Sequence, residues 1–287
     1  MSDYQTRIKQ AKPGQIIPMV REIEMACPVE FFSRLSDYGR AAHCCLLESR
    51  DYLSEAKGNE LTFGTADPAL YLTGKADQFE IRALNSTGRR IIQHLAEHPE
   101  RFSFCRTIKF TDGLITGILQ RNAEKTDELS RLKSVSQMDV IRAVAFAFEL
   151  ASPPFRVTCG LFGAVSYDFI DQFETLPPNR QDVLNNPDYE LYFADNIFLM
   201  DHHQSKGYLI VNAIITNGNR QAIYEEAMER FDRYLQQVQA NRPEPAFWEG
   251  PLPPAGTDTP RPEYESMVHK AKEHIRNGDI FQVVAVS

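Results

Sequence analysis

The spacing of apolar residues predicts an alternation of short strands and amphipathic helices along most of the chain. Residues 79–84 alternate clearly, and residues 190–200 and 208–216 predict a strong hairpin. Further strands are predicted over residues 61–64, 69–72, 102–110 and 160–165. Helices are predicted over residues 28–36, 86–97, 136–150, 219–238 and 262–277. Helices that cross antiparallel hairpins are typical of an α+β protein with antiparallel sheets rather than a doubly wound parallel sheet.

The pattern also divides the chain into four parts. Residues 1–20 are predicted to be a loosely held arm, and residues 21–240 an α+β domain. Seven of the 17 prolines fall between Pro243 and Pro262, which predicts a stiff linker over residues 241–261. Residues 262–287 would then begin a second domain, ending in a nearly continuous apolar strand from Ile280. Because a buried strand needs neighbours, this end predicts a chain that is cut within a domain.

Residues 44–49 form a separate apolar run that ends in a carboxylate and a hydroxyl, Glu48 and Ser49. The run is too short for a typical helix and has the length of a buried strand. A carboxylate beside a short donor and acceptor suits the ammonium end of a free amino acid. The same two residues are also ordinary at a strand that runs out into solvent.

Composition narrows the class of protein. The formal net charge of −8 argues against a nucleic-acid surface and an anionic membrane. Five cysteines without CxxC spacing indicate reduced thiols. Residues 1–15 are polar and lack the apolar core of a signal peptide, and no apolar run approaches the length of a membrane span. We therefore expect a cytoplasmic protein that binds neither nucleic acid nor membrane.

No catalytic or metal centre emerges from residue chemistry alone. The glycines of residues 160–168 follow neither phosphate-loop pattern, and are more typical of close backbone approach. No serine lies in a GxSxG elbow and no cysteine has a nucleophile signature. The remaining candidates are expected to be solvent-facing, namely His202, His203, His269, Glu273, His274, Asp168, Asp171 and Glu174.

Four stretches in order resemble component I of anthranilate synthase, within the chorismate-utilising enzyme family. They are LLES at residues 46–49, residues 61–68, GLFGAVSYD at residues 160–168 with the following FExLP, and residues 278–284. Each stretch alone is short, whereas the four at plausible spacing are specific together. The resemblance covers about residues 18–284.

The resemblance implies an enzyme that makes anthranilate and pyruvate from chorismate with Mg²⁺. Ammonia would come from a glutamine amidotransferase subunit, component II. The resemblance further assigns Leu47, Glu48 and Ser49 to a feedback site for L-tryptophan, with Lys57 as a nearby cation. Because the catalytic residues of the family lie beyond residue 287, it implies that this chain contains no catalytic residue, binds no Mg²⁺ and is inactive alone.

Two other functions remain open from the sequence. One is aminodeoxychorismate synthase component I, although Glu48 beside Ser49 favours the tryptophan branch. The other is a non-catalytic module that binds tryptophan or docks on the amidotransferase.

Overall fold

The structure is a computed structural model that describes residues 2–49, 61–121, 134–174, 184–239, 250, 256–257 and 259–284. The chain divides into two compact units, Met1–Glu244 and Pro245–Ser287. Within the described residues, no helix is both long and apolar enough to span a bilayer.

Helices and strands alternate along the first unit as the apolar spacing predicts. Its α-helices are α1 (Ser2–Gln10), α2 (Pro28–Leu35), α3 (Ser86–Ala96), α4 (Gln137–Ala145) and α5 (Arg220–Gln239). Its strands are β1 (Gln15–Ile23), β2 (Cys45–Ser49), β3 (Leu61–Thr65), β4 (Leu70–Lys75), β5 (Gln78–Ala83), β6 (Cys105–Thr111), β7 (Leu114–Leu119), β8 (Glu149–Leu150), β9 (Gly160–Val165), β10 (Tyr189–Ala194), β11 (Asn196–Asp201) and β12 (Lys206–Ile214). Two 3₁₀ turns cover Pro99–Phe102 and Tyr167–Gln172.

The first sheet has six strands in the order β2-β3-β11-β12-β1-β8. All pairs are antiparallel except β1 with β8. Helices α1, α2 and α5 bury apolar residues against one face of this sheet, where Met19, Phe198 and Val211 meet Phe31 and Phe231. A helix stripe and a sheet face each need such an apolar partner, which explains the layered arrangement.

The second sheet has the strand order β6-β7-β5-β4-β10-β9, and every pair in it is antiparallel. One face carries Leu72 and Ile81, which share a buried cluster with Ile91 and Leu95 of α3 and Val140 of α4. The predicted α+β class with antiparallel sheets is therefore confirmed. We call the opposite face of this sheet, which carries Tyr71, Thr73, Glu80, Arg82, Glu190 and Tyr192, the open face.

The predicted single strand over residues 190–200 is wrong, because the run is divided between the two sheets. β10 ends at Ala194 in the second sheet, and β11 begins at Asn196 in the first. Asp195 lies between them, fully buried, and forms an ion pair with Arg230 of α5. In the sequence, the polar pair Asp195-Asn196 inside an otherwise apolar run indicates where the strand is divided.

The expectation of a loosely held arm over residues 1–20 is also wrong. Residues 16–23 of β1 pair with β12 in the middle of the first sheet, and Ile8 and Met19 have no exposed surface. A polar beginning concealed the apolar run from Ile16 to Val20, whose partner strand lies about two hundred residues away in sequence. The predicted helix over residues 136–150 is shorter in the structure, since Glu149 and Leu150 pair with β1.

The second unit contains one further helix, α6 (Arg261–Asn277), which ends at Gly278 with a φ of 80°. That conformation favours glycine, as the predicted helix end requires. No residue of α6 is buried, and Tyr264 and Ile275 are exposed. Residues 280–284 form no strand, and residues 285–287 lie outside the described part. Most of the predicted linker over residues 241–261 lies outside it as well.

Candidate functional site

The strand β2, which carries the predicted inhibitor residues, lies at the edge of the first sheet. It pairs with β3 in antiparallel register, Leu47 opposite Phe63 and Glu48 opposite Thr62, and with no other described strand. The side chain of Glu48 is exposed, and Leu47 keeps 38% of its surface accessible. The prediction of a buried strand is therefore wrong, because an edge strand is covered on one side only.

Alternation along β2 separates the predicted ligand residues. Cys45 and Leu47 line a small apolar cavity with Phe63 and Phe162, whereas Leu46 packs against the helix-covered core. Glu48 follows Leu46 by two positions, so it lies on the opposite face from Leu47. The cavity measures about 10 Å³, roughly the volume that one water probe occupies. An indole does not fit there.

Two of the predicted residues fall at the limit of the described part. Ser49 is the last residue of β2, opposite Leu61, and only its backbone is described. Lys57 lies outside the described residues. The assignments of Leu47, Glu48, Ser49 and Lys57 to an inhibitor site stay predictions.

An aromatic cluster on the open face lies beside the start of β2, and the sequence reasoning missed it. The ring of His43 lies 5.3 Å from Tyr71 and 5.7 Å from Tyr192, and the two tyrosine rings are 5.4 Å apart. The hydroxyl of Tyr71 donates to the carboxylate of Glu190. Burial and this neighbouring carboxylate raise the pKa of Tyr71, so its hydroxyl stays protonated and donates. Tyr71 and Tyr192 are directly opposite on the adjacent strands β4 and β10, a pairing that the local sequence pattern does not show.

The thiols beside this cluster are poor nucleophiles. Burial raises the pKa of Cys44, and both burial and Cys44 raise the pKa of Cys45. Because the thiolate is the reactive form, neither cysteine is activated at neutral pH.

The glycine-rich stretch over residues 160–168 serves strand packing. A Cβ on Gly163 would lie 2.1 Å from the carbonyl oxygen of Glu190, and Gly163 has a φ of 157°. The predicted close backbone approach is thereby confirmed. β9 can pair tightly with β10, which places Phe162 with its ring 5.1 Å from Phe63 of the first sheet.

The resemblance implies Mg²⁺ for the complete enzyme, with ligands beyond residue 287. Within the described residues, no three His, Cys, Asp or Glu side chains are grouped for a metal ion. The buried carboxylate of Asp195 is paired with Arg230, and that of Asp67 lies 2.8 Å from Arg233. Mg²⁺ prefers carboxylates that are free to coordinate it, so no metal-dependent step follows from these residues.

The other histidines and acids from the sequence are dispersed. His202 bonds Thr62 through its Nε2, 2.8 Å from the hydroxyl, and His274 on α6 bonds Asp279. Asp168 and Asp171 lie in the 3₁₀ turn after β9, and Glu174 follows it.

Comparison with known proteins places these features in a family. The sequence pattern of the family described as chorismate binding enzyme matches residues 68–286. Anthranilate synthase component 1 of Serratia marcescens is 26% identical over 277 residues, which are 95% of this chain and 50% of that protein. Anthranilate synthase component 1 of Mycolicibacterium smegmatis is 31% identical over 162 residues, 55% of this chain and 30% of that protein.

A crystal structure of anthranilate synthase component I from Streptococcus pneumoniae TIGR4 also aligns, with 16% identity and a TM-score of 0.38 over 81% of this chain and 42% of that one. The chain spans about half the length of the curated relatives that match most of it. Since the family pattern covers most of its residues, the chain belongs to the chorismate binding enzyme family.

Proposed function

We propose that this chain is the N-terminal, regulatory part of an anthranilate synthase component I, with β2 as one wall of a site for L-tryptophan. The observation that carries the proposal is the match of 95% of this chain to half of a curated anthranilate synthase component 1. Residues 21–240 would be the regulatory domain, and residues 262–287 the start of the chorismate-binding domain. The protein would act in the cytoplasm on the first step of tryptophan synthesis.

The exposed edge of β2 supports a ligand that lies along the strand rather than on one face. Such a ligand reaches both Leu47 and Glu48, although the two side chains point to opposite faces. The Glu48 carboxylate would pair with the ammonium group, the Ser49 hydroxyl would bond the same end, and Leu47 would contact the indole. Lys57 would supply a cation for the carboxylate.

The same geometry argues for weak binding by this chain alone. An indole gains its apolar free energy from burial on both faces, and the cavity beside Leu47 has a volume of only about 10 Å³. The second wall would therefore come from the half of the relatives that this chain does not span. Residues for chorismate and Mg²⁺ would lie there too, and component II would deliver ammonia to the complete enzyme.

Two measurements on the purified 287-residue chain test the proposal. We expect no anthranilate fluorescence with chorismate, ammonium and Mg²⁺, and only weak tryptophan binding. In a ¹⁵N-labelled sample, tryptophan should shift the amide resonances of residues 45–49, and Ser49→Phe should abolish these shifts. The matched control is Ser103→Phe at an exposed site elsewhere.

Three outcomes would contradict parts of this proposal. Tight, micromolar tryptophan binding by this chain would favour a stand-alone module, and enzyme-dependent fluorescence would refute the assignment of catalysis to the other half. If tryptophan shifts other amide resonances but not those of residues 45–49, then β2 is not part of the site.

A further inference from the structure

The strand β9 forms one edge of the second sheet and has a side with which no described strand pairs. It pairs with β10 over residues 160–165 in a continuous register. In an antiparallel pair, alternate residues point their N–H and C=O groups away from the partner strand. Gly163, Ala164 and Val165 are exposed, and Val165 keeps 53% of its surface accessible. This part of the edge can therefore accept another strand.

The other three edges of the two sheets carry features that block such pairing. β6 has a register shift between Cys105 and Thr107, and it carries the exposed side chains of Arg106 and Lys109. β2 carries the exposed Glu48, and β8 is only two residues long. Charges, bulges and short strands are means by which proteins prevent association between sheet edges. β9 has no charged residue, no proline and no bulge, so among the described edges it is the one best suited to strand addition.

The side chains of β9 alternate between the two faces of the second sheet. Phe162 and Ala164 lie on the open face, because they are opposite residues of β10 that belong to that face. Leu161 and Val165 lie on the helix-covered face, where Leu161 packs against the buried cluster. Residues that are directly opposite across two antiparallel strands share one face, so these assignments limit how another strand can pair.

A second copy of β9 satisfies this limit. A two-fold axis at Gly163, perpendicular to the sheet, keeps the open face of each copy on the same side. It places Phe162 opposite Ala164 of the copy. On the other face it places Leu161 opposite Val165 of the copy. Both pairs are apolar, and no charge is set against a like charge, which would be destabilising.

The surroundings of the edge favour a closed but weak dimer. A two-fold interface uses the same surface on both copies and therefore closes at two subunits. Tyr167, two residues beyond β9, is 85% exposed and adds apolar surface at the end of the strand. The formal net charge of −8 on each copy opposes association, and salt screens such repulsion. Salt should therefore strengthen the dimer.

We propose that two copies of this chain associate through β9, antiparallel about Gly163, so that their two six-stranded sheets become one continuous sheet. Main-chain hydrogen bonds join the two strands, and the apolar cross-strand pairs set their register. The inference rests on β9 and does not depend on the proposed function.

Sedimentation velocity of the full chain from about 1 to 200 µM tests this proposal over the range in which a small interface associates. We expect the sedimentation coefficient to rise with concentration from that of a monomer to that of a dimer, and to rise at lower concentration in higher salt. Val165→Lys should raise the dissociation constant at least about tenfold, because it places an ammonium group opposite Leu161 of the copy. Thr107→Lys adds the same charge at an exposed position of the opposite edge strand β6, so this matched control should leave the constant unchanged.

Hydrogen exchange locates the contact and requires no variant, so it decides even if Val165→Lys fails to fold. Outward-facing amides of residues 160–166 should gain protection as the chain concentration rises, whereas those of residues 105–111 on β6 should not. A chain that stays monomeric at about 200 µM would refute the proposal, as would a dimer that is protected elsewhere. Growth beyond a dimer, or equal effects of the two lysine variants, would also refute it. If the outward-facing amides are fully protected in the monomer, another segment of the chain covers the edge and the second copy is excluded.

Discussion

The link between β10 and β11 and the edge strand β2 each carry a carboxylate, and the two carboxylates have opposite environments. At the link between the two sheets, Asp195 is fully buried and paired with Arg230, and Asn196 donates to its carboxylate at 3.0 Å. At the edge, Glu48 is exposed and forms no ion pair or side-chain hydrogen bond with any described residue. The first carboxylate is paired within the fold, whereas the second has no side-chain partner among the described residues.

This difference should separate the two carboxylates in how much each contributes to the stability of the fold. A paired, buried group contributes to specificity of folding, and removing its partner is costly. Replacing an exposed edge group costs little stability. Stability measurements should therefore distinguish the two regions sharply.

The largest effect is expected for Asp195→Ala, which leaves the buried Arg230 guanidinium without its closest partner. We expect a loss of about 3–5 kcal/mol in the free energy of unfolding, measured by denaturant titration. Asp232→Ala is the control, since its pair with Arg21 is largely exposed and should be worth about 1 kcal/mol or less. A similar loss in the two variants would contradict the contrast between buried and exposed carboxylates.

Gly163→Ala should have the next largest effect, because it forces β9 away from β10. Its Cβ would lie 2.1 Å from the Glu190 carbonyl oxygen, at a φ of 157°. Strained backbone of this kind costs about 1–3 kcal/mol. In the control Gly218→Ala, the nearest neighbour of the added Cβ would be 3.7 Å away, so the midpoint of unfolding should change little. Equal midpoints for the two variants would show that the strands separate without cost.

Local periodicity was sufficient to predict most elements but not their neighbours. Helix α5 shows its inward stripe of Ile223, Ala227 and Phe231 in the sequence, and all three are buried. In contrast, the sequence does not reveal that β2 is an edge strand, because that depends on which distant strands pair. The resemblance pointed to Glu48 and Ser49, but it could not place Leu47 and Glu48 on opposite faces.

The aromatic cluster was missed for a related reason. His43 precedes β2 in sequence, yet its ring partners come from β4 and β10. Such sites depend on long-range contacts, which a local pattern does not contain.

A smaller effect is expected from the pH dependence of His94. Burial first, then His98 and Arg101, lower the pKa of His94 below 6.5, and Glu97 only partly opposes this. Below pH 6.5 the unfolded chain therefore binds the proton more readily than the folded chain. The free energy of unfolding should decrease as the pH is lowered below 6.5, and His94 should not affect it above that pH. The slope cannot exceed about 1.4 kcal/mol per pH unit for one proton. Unfolding curves of wild type and His94→Gln between pH 5 and 7.5 measure this contribution, and identical slopes would contradict it.

The smallest effect on stability is expected for Glu48→Ala, which should instead change tryptophan binding. Because Glu48 is exposed at an edge, its replacement should change the free energy of unfolding by less than about 0.5 kcal/mol. Glu149→Ala, on the strand at the opposite edge of the same sheet, is the matched control and should behave alike. Tryptophan binding should separate them: Glu48→Ala should weaken it by about 0.2–1 kcal/mol in this chain, as for an exposed ion pair, and Glu149→Ala should not. In a complete enzyme with a second wall the same change should cost about 2–5 kcal/mol, because the ammonium group is then desolvated. Equal tryptophan affinities for the two variants would show that the exposed carboxylate of β2 is only a solvated end of a strand.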